Sequence, residues 1–382
     1  MGEDTGVQGG SFSDVEENWK MSRSVHVKIS PKDIAFRVPG AASEDEDLNE
    51  AWLAAVRKYG ECERALDSLP RPTLIMCRSS KRAGLIHSVY TAVKEGLSYK
   101  HVMENNIMQW HGDNNFKQWA STVLDAYGRQ RTPVGTPGSL VFRQLFEAES
   151  STYTYLLAEP KSKECILIDP VVETIERDLE VVGRMGYRLK YLVNTHVHAD
   201  HITGSGKIKQ AWSKICAESP LQLNPDSPPK SAISRASQAD CDVQLAHNSH
   251  LCIGDRKLYC VSTPGHTEGC MTYILDDLTA VFTGDALLIG GCGRTDFQGG
   301  SSDALYESVT KQIFSLPDMV TVYPAHDYKG RMQSSVGIER RTNPRLGGSN
   351  TVESFRSIMA SLNLPRPKKM DVAVPANMKC GV

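Results

Sequence analysis

Thr195-His196-Val197-His198-Ala199-Asp200-His201 packs four potential metal ligands into six residues, directly after the apolar run Leu192-Val193-Asn194. The apolar run reads as a buried strand and the polar segment as the loop at its end. Three further segments repeat that layout. Thr263-Pro264-Gly265-His266-Thr267 follows Leu258-Tyr259-Cys260-Val261. Thr283-Gly284-Asp285 follows Ala280-Val281-Phe282, and Pro324-Ala325-His326-Asp327 follows Val320-Thr321-Val322-Tyr323. A strand end fixes the backbone, and a short Gly- or Pro-containing loop then aims an imidazole or carboxylate. Several strands ending on one edge can converge such groups on one point. Imidazole with carboxylate suits iron or zinc, whereas an all-oxygen set would suit calcium or magnesium. Lone loop histidines such as His87, His101, His247 and His250 are expected to be solvated or hydrogen-bonded. That account fails for the clustered run and its three ordered companions.

Outward from these segments, strands are expected at 140–146, 153–158, 165–168, 190–194, 257–262, 279–283 and 319–323, with a helix across 172–185. Strands alternating with helices predict a mixed α/β layered fold. The Pro- and Ser-rich stretch 218–231 reads as a surface insertion. Ahead of this half, Arg131-Thr-Pro-Val-Gly-Thr-Pro-Gly-Ser139 reads as an interdomain linker. The expected organisation is a disordered tail at 1–20, a small α/β domain at 21–130, the linker at 131–139 and a second domain at 140–382. Within 21–130 a strand is expected at 24–29, and a helix capped by Ser43 running into Trp52, Leu53, Val56 and Tyr59. A strand Thr73-Leu-Ile-Met76 then leads into Cys77-Arg78-Ser79-Ser80-Lys81-Arg82 and a helix from Ala83.

The 382 residues are 40% hydrophobic and 23% charged, with a formal net charge of −2. No global field draws nucleic acid or an anionic membrane to such a chain, and neither partner is expected. The ten cysteines include no C-x-x-C pair, which predicts reduced thiols in a reducing compartment. Glu3, Asp4, Asp14, Glu16 and Glu17 against a single Lys20 are unlike an Arg-rich transit peptide. The sequence as it stands reads as cytoplasmic; a clipped N-terminus would leave a mitochondrial or plastid address open.

The metal motifs together resemble the metallo-β-lactamase superfamily over residues 138–382, which implies two sheets packed face to face between helices with a metal at one edge. Leu288-Ile-Gly-Gly-Cys-Gly-Arg-Thr-Asp-Phe-Gln298, Tyr323-Pro-Ala-His-Asp-Tyr-Lys-Gly330, Arg341-Thr-Asn-Pro-Arg-Leu346, Leu362-Asn-Leu-Pro-Arg-Pro-Lys-Lys-Met370 and Val374-Pro-Ala-Asn377 narrow the likeness. They resemble the persulfide dioxygenase family, that of the ethylmalonic encephalopathy protein. The resemblance implies one Fe(II) per chain held by His196, His266 and Asp285. His198, Asp200, His201 and His326 would then orient those ligands or line the pocket. It also implies glutathione persulfide and O2 as substrates, with Arg294 binding a glutathione carboxylate and Tyr328 adding a hydroxyl contact. On bare chemistry Arg294 could equally form an ion pair with Asp296. A homodimer is the expected assembly. Cys292 reads as a buried, inert thiol beside the pocket.

Two other classes of function stay open at this stage. All seven ligand positions could serve a dinuclear zinc thioester hydrolase of the glyoxalase II type, against which the Gly291–Phe297 run argues. A persulfide- or redox-sensing protein that keeps its metal for structure is the non-enzymatic alternative. In the N-terminal part, the loop from Cys77 to Arg82 resembles that of rhodaneses and of dual-specificity-phosphatase-like domains. A thiolate at Cys77 would be favoured by a helix N-terminus and the nearby cations. A degenerate domain kept for packing is the other reading.

Overall fold

The computed structural model describes residues 140–218 and 227–382, with isolated positions between 53 and 123. The expected tail, linker, early strands and the Cys77–Arg82 loop lie outside the described residues. Leu53, Val56 and Tyr59 are described, and they are helical and buried as the periodicity predicts.

Twelve strands form two six-stranded sheets within the described residues. The first holds β1 (Val141–Glu147), β2 (Thr152–Glu159), β3 (Glu164–Ile168), β4 (Arg188–Val193), β5 (Lys230–Ser234) and β6 (Val243–Leu245) in chain order. The second holds β7 (His250–Ile253), β8 (Arg256–Ser262), β9 (Met271–Leu275), β10 (Ala280–Gly284), β11 (Thr321–Pro324) and β12 (Ser334–Ser335), again in chain order. The first sheet turns parallel from β3 onward, because α1 (Ile175–Arg184) supplies the crossover into β4.

Side-chain alternation builds the layers. Tyr155, Leu157, Ile166 and Ile168 point inward against Leu258, Tyr273, Phe282 and Tyr323 of the other sheet. Their neighbours Leu156, Ala158, Cys165 and Leu167 point outward onto Leu179 and Val182 of α1 and onto Ile208 and Trp212. On the far side, Val261, Ile274, Val281 and Val322 meet Leu305, Val309 and Phe355. Both faces of each sheet are therefore apolar, which demands helices outside and yields an α/β sandwich. Each large buried side chain contributes about 1.5–3 kcal/mol. The aromatic group Tyr155–Phe282–Tyr323, with centroids 5.1–5.6 Å apart, fills the middle.

The stretch read as an insertion needs one correction. Lys230 and Ser231 belong to β5, and Ser231 is buried. Pro228 and Pro229 only precede a strand, which proline at a strand start permits.

Candidate metal centre

Strand β4 ends at Val193, and the loop beyond it is shaped by Asp169, which follows β3 with φ 52°. The Asp169 carboxylate accepts from Thr195 N–H (2.7 Å) and from Thr195 Oγ1 (2.9 Å). Since that hydroxyl proton goes to Asp169, Thr195 Oγ1 is left to accept from His196 Nδ1 at 3.0 Å. A neutral His196 then presents its Nε2 lone pair. Burial first, and then the neighbouring His198, keep its pKa well below the usual imidazole range. His266, after β8, is oriented by another contact. Its Nδ1 donates to the Arg294 carbonyl at 2.7 Å, which again leaves Nε2 as the lone pair. Asp285 follows β10, with Oδ2 3.6 Å from His266 Nε2. Burial alone would raise its pKa, but His326 outweighs that and holds the carboxyl well below its ordinary value.

One potential ligand atom from each of His196, His266 and Asp285 lies within 4.8 Å of the others. His198, Asp200, His201 and His326 form a second group by the same measure. In that group His198 Nε2 faces Asp169 at 3.1 Å, and His201 Nδ1 faces Asp200 at 3.0 Å. Their other nitrogens, His198 Nδ1 and His201 Nε2, are buried without a hydrogen-bond partner. His326 lies between two carboxylates, with Nδ1 2.6 Å from Asp285 Oδ1 and Nε2 2.9 Å from Asp200 Oδ2. Burial opposes its charge, yet the two carboxylates together lift its pKa well above the usual range.

All seven residues drawn from the sequence motifs thus converge, in two groups joined by the Asp285–His326–Asp200 ladder. Nε2 lone pairs on His196 and His266 close to the Asp285 carboxylate fit a divalent ion of the iron or zinc type. Arg294 takes the ion-pair alternative: Nε and Nη2 each donate to Asp296 at 2.6 Å, and Nη1 donates to the Pro365 carbonyl at 2.7 Å. Tyr328 is 69% exposed and stacks on His326, with ring centroids 6.2 Å apart. The Cys292 thiol is buried 3.8 Å from the Met359 sulfur, and burial pushes its pKa up to about 11, as an inert cysteine requires.

Two residues escaped the motif reading. Asp169 carried a signal in Leu-Ile-Asp-Pro, an acid at a strand end, but with no ligand spacing to flag it. Asn377 donates from Nδ2 to the carbonyls of His198 (2.9 Å) and His201 (2.8 Å), 179 and 176 residues away, and no local pattern announces that.

The family profile described as "Metallo-beta-lactamase superfamily" matches residues 149–326. The chain is 47% identical over 266 residues to "Persulfide dioxygenase ETHE1, mitochondrial" of Bos taurus, covering 69% of this chain and 98% of that protein. It is 26% identical over 346 residues to a "Beta-lactamase hydrolase-like protein" of Xylella fastidiosa, covering 84% of this chain and 76% of that one. Among solved structures, that of ETHE1 from Myxococcus xanthus superposes with a TM-score of 0.57 at 45% identity, over 63% of this chain and 99% of that one.

Proposed function

We propose, on the premise that the chain belongs to the ETHE1 persulfide dioxygenase family of the metallo-beta-lactamase superfamily, that residues 140–382 oxidise glutathione persulfide with O2 and water to sulfite and glutathione. The reaction balances as persulfide plus O2 plus water giving thiol, sulfite and two protons. The observation that carries the reading is the grouping of His196, His266 and Asp285, two imidazoles and one carboxylate. Such a trio holds Fe(II) while leaving positions open for two guests.

Fe(II) held by His196, His266 and Asp285 would supply the redox chemistry that persulfide and O2 lack on their own. The chain's own groups do the rest. Asp169 and Thr195 fix the His196 tautomer, and the Arg294 carbonyl fixes that of His266. His326 hydrogen-bonds Asp285 and holds a proton at Nδ1, which keeps the carboxylate oriented and charged. Burial of His196, His198, His201 and His326 keeps bulk water from the ligand face. Tyr328, exposed over His326, stands where a tripeptide could be met by a phenol. Arg294 would reach a glutathione carboxylate by exchanging Asp296 for it.

The free nitrogens of His198 and His201 favour one second reading, a further ion in their group and hydrolytic chemistry. Metal analysis with an oxygen electrode separates the two. One iron per chain and O2 uptake with glutathione persulfide are expected, and His266→Ala should abolish both iron and uptake. Two zinc ions per chain with thioester cleavage would replace the proposal by the second reading.

A further inference from the structure

We infer that Asn377 is a positioning residue for the metal centre, acting from the C-terminal helix through the backbone of the His-rich loop. The inference rests on the proposed iron site and extends it to a residue that touches neither metal nor substrate. Asn377 sits in the last turn of the helix Met370–Met378 and is 5% exposed. Its amide makes three hydrogen bonds at one spot, with both donors in use. Nδ2 donates to the carbonyls of His198 and His201, at 2.9 and 2.8 Å, and Oδ1 accepts from Thr203 N–H at 2.8 Å. Two donors and one acceptor thereby pin the stretch 198–203 from one side.

The remainder of the C-terminal turn is fitted to the same loop. Gly206 N–H donates to the Cys380 carbonyl at 2.7 Å. Gly381 has φ +83°, and a Cβ there would lie 2.1 Å from the Thr203 carbonyl oxygen. The C-terminal turn is therefore held close against the loop's far end.

What the clamp positions is Asp200, inside the pinned stretch. Its Oδ2 takes hydrogen bonds from His201 Nδ1 at 3.0 Å and from His326 Nε2 at 2.9 Å. His326 Nδ1 in turn meets Asp285 Oδ1 at 2.6 Å. The path from Asn377 to the ligand Asp285 is thus loop backbone, Asp200, His326, Asp285, each link a contact within hydrogen-bond range. His196 lies on the same loop two residues before His198.

Asn377→Asp tests this with almost no change of shape. It keeps an acceptor for Thr203 N–H but turns a carboxylate oxygen toward two carbonyls. The readouts are the visible spectrum of the Co(II)-substituted protein, which reports ligand geometry, and the rate at which a chelator strips iron from the loaded protein. The denaturant midpoint of the apoprotein serves as the control for a merely structural role. Positioning predicts shifted Co(II) bands and iron loss about 10- to 100-fold faster, the range typical of lost supporting contacts. Unmoved bands, or an unchanged loss rate, overturn it, whatever happens to the midpoint. Should Asn377→Asp fail to fold, Asn377→Ser, which keeps one donor, carries the same comparison. A chain that folds only with asparagine there overturns positioning in favour of a structural role. Neither readout uses persulfide, so an iron-loaded wild-type protein that takes up no O2 would sink the proposed reaction and leave the Asn377 result standing.

Discussion

At Arg294 the main chain and the side chain do different work. The carbonyl accepts a hydrogen bond from His266 Nδ1, and the guanidinium donates to Asp296 and the Pro365 carbonyl. Replacing the side chain leaves the carbonyl in place. Arg294→Ala should therefore keep iron content within about twofold, while KM for glutathione persulfide rises about tenfold, roughly 1.4 kcal/mol. Proportional loss of iron would mean that the side chain serves structure alone. The residue scale was also where sequence reading was sharpest. All seven ligand-type residues are legible through strand-end spacing, whereas Arg294, expected at a glutathione carboxylate, pairs here with Asp296, which the sequence offered only as the alternative. Tautomers did not, because they depend on partners such as Asp169 and the Arg294 carbonyl that lie 26 to 28 residues away.

Among the elements, the turn between β8 and β9 sets the height of His266. Gly265 there has φ +134°, and a Cβ would fall 2.2 Å from Leu305 N, inside the helix Ser302–Ser308. Gly265→Ala must push that helix or tilt the turn, a crowding cost of about 1–3 kcal/mol. The expected outcome is a lower melting temperature together with reduced iron per chain. Gly291, with nothing within 4 Å of a Cβ, is the control, and Gly291→Ala should stay within about 0.5 kcal/mol. Central strands were readable because runs such as Cys165–Ile168 and Ala280–Phe282 are continuously apolar. The strands Val243–Leu245 and His250–Ile253 were not, being short and only half buried. Their place comes from pairing with Ala232–Ser234 and Arg256–Tyr259 rather than from their own composition.

For the molecule as a whole, stability should depend on pH through a group far from the metal. Asp178 of α1 is fully buried, and burial pushes its pKa from 3.8 up to about 6, only partly offset by Arg177. Below about pH 4 the carboxyl is neutral in folded and unfolded chains alike and costs nothing. Between about pH 4 and 6 the folded chain binds the extra proton, so this group makes stability fall as pH rises. Above about pH 6 the cost is complete, on the order of 3 kcal/mol. An uncharged amide of the same shape escapes that cost. Asp178→Asn should therefore be more stable than wild type above about pH 6 and equal to it below about pH 4 in denaturant melts. A gap that persists at the acid end would assign the effect to packing.

Synthesis order has its own bearing on how an ion would be taken up. His196, His266 and Asp285 leave the ribosome before β11 and the His326 loop that follows it, and well before the helix that carries Asn377. A nascent chain therefore owns a complete ligand trio while the parts that steady it are still untranslated. An ion taken up during translation would meet a slack grip open to whichever transition metal is abundant, so selective loading would require the helix that carries Asn377 to be in place.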